Sequence, residues 1–115
     1  MATFSSQMEP APVAPLYSTL AADPDLGELV EMFVGEMPDR ARCLAGLWAA
    51  GELDALQMAA HQLKGSAGGY GFPQLTASAA RLEGSLREQA APEILRDRTN
   101  ELVALCGRAR AGTGE

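Results

Sequence analysis

The sequence predicts an all-α protein: an antiparallel up-down-up-down four-helix bundle with a short N-terminal helical turn. Three observations lead there. Apolar residues recur at helical spacing in four successive stretches, separated only by brief breaks marked by Gly or Pro. Aromatic residues make up 5% of the chain while alanine and leucine abound, which leaves few runs suited to strands. The breaks are short, so neighbours in sequence must pack as neighbours in space. With 115 residues and 47% hydrophobic content, the chain suits one domain with a real core.

Residues 1–15 carry Pro10, Pro12 and Pro15 among small and polar residues, without helical period or core-forming bulk, and are expected to be a disordered lead. The bundle is expected over residues 16–110, with 111–115 (AGTGE) as a second disordered tail. Leu16, Tyr17 and Leu20 fit one short amphipathic turn before Asp23 and Pro24. From Leu26 onward, Leu29, Val30, Phe33, Met37, Ala41, Leu44, Leu47 and Trp48 form one stripe and predict a long helix. Pro38 lies inside it and removes a backbone donor, which predicts a kink or a junction of two helices. Gly51 suits the position after a helix C-terminus. A second helix begins near Leu53 and carries Leu56, Ala59, Ala60, Leu63 and Ala67 until glycines break it. Pro73 suits the first position of a third, whose narrow seam is Leu75, Ala79, Leu82 and Leu86. A fourth starts around Pro92, with Ile94, Leu95, Leu102, Leu105 and Ala109 on its apolar side.

The formal net charge of −6, with no cluster of Lys or Arg, argues against a nucleic-acid or anionic-membrane surface, because phosphate binding depends on concentrated positive charge. No apolar run approaches the roughly 20 residues needed to span a bilayer. The start MATFSSQMEP has neither the basic opening nor the apolar core of an export signal, so a cytoplasmic protein without membrane insertion is expected. Cys43 and Cys106 lie far apart within apolar helical patterns and are expected as small buried hydrophobes rather than a disulfide. One histidine with no nearby cysteine makes no zinc set, so no metal site is expected. The absence of an apolar outer stripe predicts a monomer.

The stretch HQLKGSAGGYG, His61 to Gly71, is costly if stability is its only purpose. Glycine inside a helix costs roughly 1 kcal/mol relative to alanine, and Gly65 and Gly68 both fall there. On a helical wheel, Leu56, Ala59, Ala60, Leu63 and Ala67 share one side, while His61, Lys64, Gly65 and Gly68 lie within about 100° of each other opposite. The histidine therefore faces out. The plainer readings are a core histidine with a satisfied ring, which the wheel disfavours, and an ordinary solvent-facing histidine beside a solvated lysine. Against the latter stand the glycines, which clear side chains from the surface beside the ring so that something large can approach. A neutral imidazole has a free nitrogen able to act as a nucleophile, and Lys64, one turn on, can reach an anion carried by the ring.

These residues resemble a known pattern. AHQLKGSAGGYGFPQLTASAARLE, Ala60 to Glu83, is similar to the signature of histidine-containing phosphotransfer (HPt) domains of two-component phosphorelays. Ala60, His61, Leu63, Lys64, Gly65, Ser66 and Ala67 fill its core, followed by Gly71, Leu75, Leu82 and Glu83. The likeness extends more loosely upstream through FVGEMPDRARCLAGLWAAGELDAL, with its Gly51-Glu52 turn, and covers roughly residues 26–90.

The resemblance implies a four-helix bundle whose exposed His61 accepts a phosphoryl group from an aspartyl phosphate on a response-regulator receiver domain and passes it to a second receiver's aspartate. It implies a carrier without kinase activity, with receiver domains and a hybrid sensor histidine kinase as partners. No intrinsic cofactor is implied; Mg²⁺ comes with the receiver. Lys64 would neutralise phosphate charge, and Glu83, at a family position on the next helix, would accept a proton from the inner ring nitrogen and orient the ring. Gly65 and Gly68, with Asp54, Gln57 and Met58, would form the docking surface, while Gly71 and Pro73 are structural. GSAGGYG lacks the Gly-Lys-Ser ending of a nucleotide loop and follows no strand, which agrees with a carrier. Two other classes stay open: a bundle that binds a partner through the same face with no chemistry at His61, and an enzyme. The second is disfavoured because no further nucleophile, carboxylate pair or metal set stands beside the histidine.

Overall fold

Three chain reversals, each made by a residue in the left-handed region, divide the apolar stripes into four helices. They are Gly51 (φ 73°), Gly71 (φ 81°) and Gln89 (φ 55°). At each, the amide one residue further on donates back into the last helical turn: Glu52 to Leu47 at 2.9 Å, Phe72 to Ala67 at 2.9 Å and Ala90 to Ser85 at 3.0 Å. This pairing satisfies carbonyls that a helix end otherwise leaves bare.

The computed structural model describes residues 14–112. In chain order these form β1 (Leu16–Tyr17), α1 (Gly27–Ala49), α2 (Leu53–Gly69), α3 (Pro73–Arg87), α4 (Pro92–Arg108) and β2 (Ala109–Arg110). The helices are joined by connections of three, three and four residues and pack as a bundle in which α2 lies mainly on α3, α3 on α4 and α4 on α1. α3 and α4 both open with proline at the first turn, where a missing N–H costs nothing.

The core is the set of stripes read from the sequence: Val30, Phe33, Met37 and Leu44 from α1, Leu56, Ala60, Leu63 and Ala67 from α2, Leu75, Ala79, Leu82 and Leu86 from α3, and Leu95, Leu102 and Leu105 from α4. Phe33 stacks on Tyr70 and Phe72 at centroid distances of 5.1 and 5.4 Å, clamping α1 to the α2–α3 corner. Two hydroxyls lie in this interior with partners: Thr99 donates to the Leu95 carbonyl at 2.8 Å, and Ser78 donates to Glu101 at 3.3 Å. Glu101 also pairs with Arg81 at 2.9 Å, which ties α3 to α4 and holds the Glu101 carboxyl below the usual range.

Several sequence expectations are corrected. Leu16 and Tyr17 do not form a helical turn; they run extended and pair in parallel with Ala109 and Arg110, and turns follow from Thr19. The local pattern hid this because the hydrogen-bonding partner lies at the far end of the chain. Ala109, placed on the fourth helix by its spacing, belongs to that strand pair and is buried there. Leu29 and Ile94 flank their stripes and are exposed. Cys43 is also exposed, one position and about 100° away from buried Leu44. Cys106 is buried as expected, and burial pushes its thiol up to about 11. Pro38 sits within one uninterrupted helix rather than at a junction of two. Of the expected disordered ends, residues 1–13 and 113–115 lie outside the described residues.

The segment after β1 buttresses the α2–α3 corner. The Thr19 amide donates to the Gly71 carbonyl at 2.9 Å, and the Ser18 hydroxyl donates to the Tyr70 carbonyl. A Cβ at Gly71 would stand 2.7 Å from both the Ser18 and Thr19 hydroxyl oxygens. Glycine is needed there for its φ and for the close approach. Pro73 then starts α3.

Candidate functional site

The inward face of α2 fixes where its other face points. With Leu56, Ala60, Leu63 and Ala67 buried against the core, His61 emerges on the flank with its side chain 60% exposed. Beneath the ring stands Glu83, on α3. It falls on that helix's buried seam, four residues after Ala79, and is only 3% exposed.

An ionised carboxylate in such a position needs partners, and Glu83 has three. Its Oε1 accepts from Lys64 Nζ at 2.7 Å. Its Oε2 accepts from His61 Nδ1 and from Arg87 Nη2, each at 2.8 Å. The Lys64 contact, with further contributions from His61 and Arg87, holds the Glu83 carboxyl below the usual range although burial pushes the other way. Ionised, Glu83 can only accept, so Nδ1 of His61 carries a proton, and Nε2 is the ring nitrogen that holds the lone pair whenever the ring is neutral.

His61 lies at a shallow depression that it lines together with Asp54, Gln57, Met58, Glu83 and Arg87. Three of the expected docking residues thus surround the ring, and Met58 is 64% exposed. The two glycines lie further along the same helix. A Cβ at Gly65 would meet nothing within 4 Å, and one at Gly68 would make an ordinary contact of 3.5 Å with Thr76 Oγ1. Among the described residues, no packing contact requires either glycine. Gly68 opens on a separate hollow beside the α2–α3 corner, with Thr19, Gly71, Pro73 and Thr76. Lys64 does not line the depression around His61; its amine lies against Glu83.

The sequence reading missed Arg87. The signal was present, since Glu83 and Arg87 are four residues apart on one helix, the spacing at which opposite charges meet. Likewise, a carboxylate on the seam marked by Leu75, Ala79, Leu82 and Leu86 foretells a buried charge.

The sequence model of the Hpt domain family matches residues 28–112, from the first turn of α1 through β2. The chain belongs to the Hpt domain family. Neither the search of curated proteins nor that of solved structures gave a match. Hpt domains are histidine phosphotransfer domains of phosphorelays, carriers of phosphoryl groups that work with other components of two-component systems. The match spans all four helices, so the bundle and the Hpt domain are coextensive, while β1 and the turns after it precede the matched region. Among the described residues of this Hpt domain, no helix is long and apolar enough to cross a membrane, and no three His, Cys, Asp or Glu side chains gather to hold a metal.

Proposed function

We propose that His61 is the phosphorylated residue of this Hpt domain, taking a phosphoryl group from a receiver-domain aspartyl phosphate and delivering it to the aspartate of another receiver. The observation that carries this reading is the Nδ1 contact to Glu83 at 2.8 Å, which turns the lone pair of Nε2 toward solvent on a ring 60% exposed.

Nε2 attacks phosphorus in line with the acyl oxygen. The N–P bond forms as the P–O bond breaks, and the aspartate leaves as a carboxylate. Nδ1 keeps its proton throughout, so the phosphorylated ring is an imidazolium whose charge faces Glu83. The same charge makes the ring a good leaving group when a second aspartate attacks. Glu83 acts as the ring-orienting residue in both directions. Lys64, the nearest cation on the same helix, offsets the charge of the incoming phosphoryl group by turning outward from Glu83. Mg²⁺ arrives with the receiver, which supplies the acyl phosphate.

Gly65 and Gly68 leave the backbone bare for the receiver's loops, and Asp54, Gln57 and Met58 form the rim on the other side of the ring. The partners are receiver domains and a hybrid sensor histidine kinase, met by a monomer in the cytoplasm. The test is incubation with a ³²P-phosphorylated receiver. Acid-labile, alkali-stable label should appear on the protein and be absent from His61→Gln; label that persists in the variant excludes His61 as the carrier.

A further inference from the structure

Glu83 Oε2 is shared between a ring proton and a guanidinium, and the two compete for one oxygen. The Arg87 contact and the His61 contact are both 2.8 Å long. This poses a problem of charge. A carboxylate hydrogen-bonded to an imidazole favours the doubly protonated, cationic ring, and a cationic ring has no lone pair with which to attack phosphorus. Every increment of pull from Glu83 that orients the ring also tends to disarm it.

We propose that Arg87 is a positioning residue that limits the pull of Glu83 on His61, so that the Nδ1–H···Oε2 bond orients the ring without Glu83 drawing a second proton onto Nε2. The proposal rests on the reading of His61 as the nucleophile. The charges that face the ring are few. Glu83 and Arg87 come from α3, and Lys64 and Asp54 from α2 itself. On α1, Glu36, Asp39 and Arg40 line a separate groove with Ala59 and Gln62, and α4 packs on α1 and α3. Lys64 occupies the other carboxylate oxygen, so it compensates the charge of Glu83 without touching the atom that binds the ring. Arg87 alone sits on that atom. It also lines the depression beside His61, as the only Lys or Arg among its described lining residues. Once a dianionic phosphoryl group has arrived and Lys64 has turned toward it, Arg87 is the cation left on Glu83.

The chain has one histidine, so the proton on its ring Cε1 gives a single resonance whose shift with pH can be followed without ambiguity in the untagged protein. The comparison is wild type, Arg87→Gln and Arg87→Lys, repeated in a Glu83→Gln background. The titration midpoint in Arg87→Gln should rise by about 0.5 pH unit, a modest shift because Arg87 is largely exposed and screened. Arg87→Lys should restore most of the wild-type midpoint, and in the Glu83→Gln background Arg87→Gln should move it little. With a phosphorylated receiver, the rate deficit of Arg87→Gln should be confined to pH values below the midpoint and vanish above it. A midpoint unchanged by Arg87→Gln, or shifted equally with and without Glu83, overturns the proposal, as does a rate deficit equal at all pH values. The titration needs no phosphoryl donor, so it decides the role of Arg87 even if His61 carries no phosphate.

Discussion

A carboxylate brought to 3% exposure inside a bundle is tolerated only when its lost hydration is replaced, and Glu83 replaces it with Lys64, His61 and Arg87. The arrangement ties stability to the proposed function at one residue. The carboxyl of Glu83 is held below its ordinary value of 4.5, first by Lys64, so its contribution to stability is complete above that value and disappears as pH falls through the lower folded-state value. Glu83→Gln keeps a carbonyl for the ring but cannot ionise. Urea unfolding of the variant between pH 7 and pH 3 should therefore lose less stability on acidification than the wild type does. Glu101, depressed by Arg81, remains in both proteins and gives the common acid-dependent background. Equal pH dependence in the two proteins would mean that Glu83 is not ionised as described.

At the scale of elements, α2 carries the site because its stripe is narrow and leaves a broad outer face. Gly65 and Gly68 cost that helix about 1 kcal/mol each, and no packing contact among the described residues demands either. Gly65→Gln should therefore raise stability by about 0.5–1 kcal/mol in urea unfolding while slowing transfer from a phosphorylated receiver at least tenfold. Undiminished transfer would remove the steric account of the glycine face. Gln89, just past the end of α3 and not among the residues that line the depression at His61, offers a control. Gln89 holds a left-handed conformation that Gly51 and Gly71 adopt without strain. Gln89→Gly should stabilise the bundle by about 1 kcal/mol, measured the same way, and leave transfer unchanged. The helices and their ends were legible in the sequence because the period of 3.6 and the Gly and Pro breaks are local signals. Glu83's burial was legible only as a position on a seam, and the sharing of its Oε2 between His61 and Arg87 was not legible, since that depends on how α2 and α3 meet.

At the scale of the whole molecule, the first and last elements of the described residues are drawn together in a way local pattern does not reveal. β1 pairs with β2, and Arg108 Nε reaches the Ala14 carbonyl at 2.6 Å, so the strand before α1 closes over the end of α4. Ser18 and Thr19 then brace the corner at Gly71, from which α2 and α3 run side by side past His61 and Glu83. The bundle thus holds the two helices of the candidate site side by side, and in the proposed transfer the partner protein brings the reactive acyl phosphate. The central claim concerns one atom, Nε2 of His61. The most direct measurement is ¹⁵N–³¹P NMR of protein labelled with ¹⁵N-histidine after exposure to a phosphorylated receiver, which reports on a single ring because the chain has one histidine. The account predicts phosphorus coupled to Nε2, with Nδ1 still protonated and bonded to Glu83. Phosphorus on Nδ1, or an unmodified ring beside a receiver that has lost its phosphate to this protein, would contradict it.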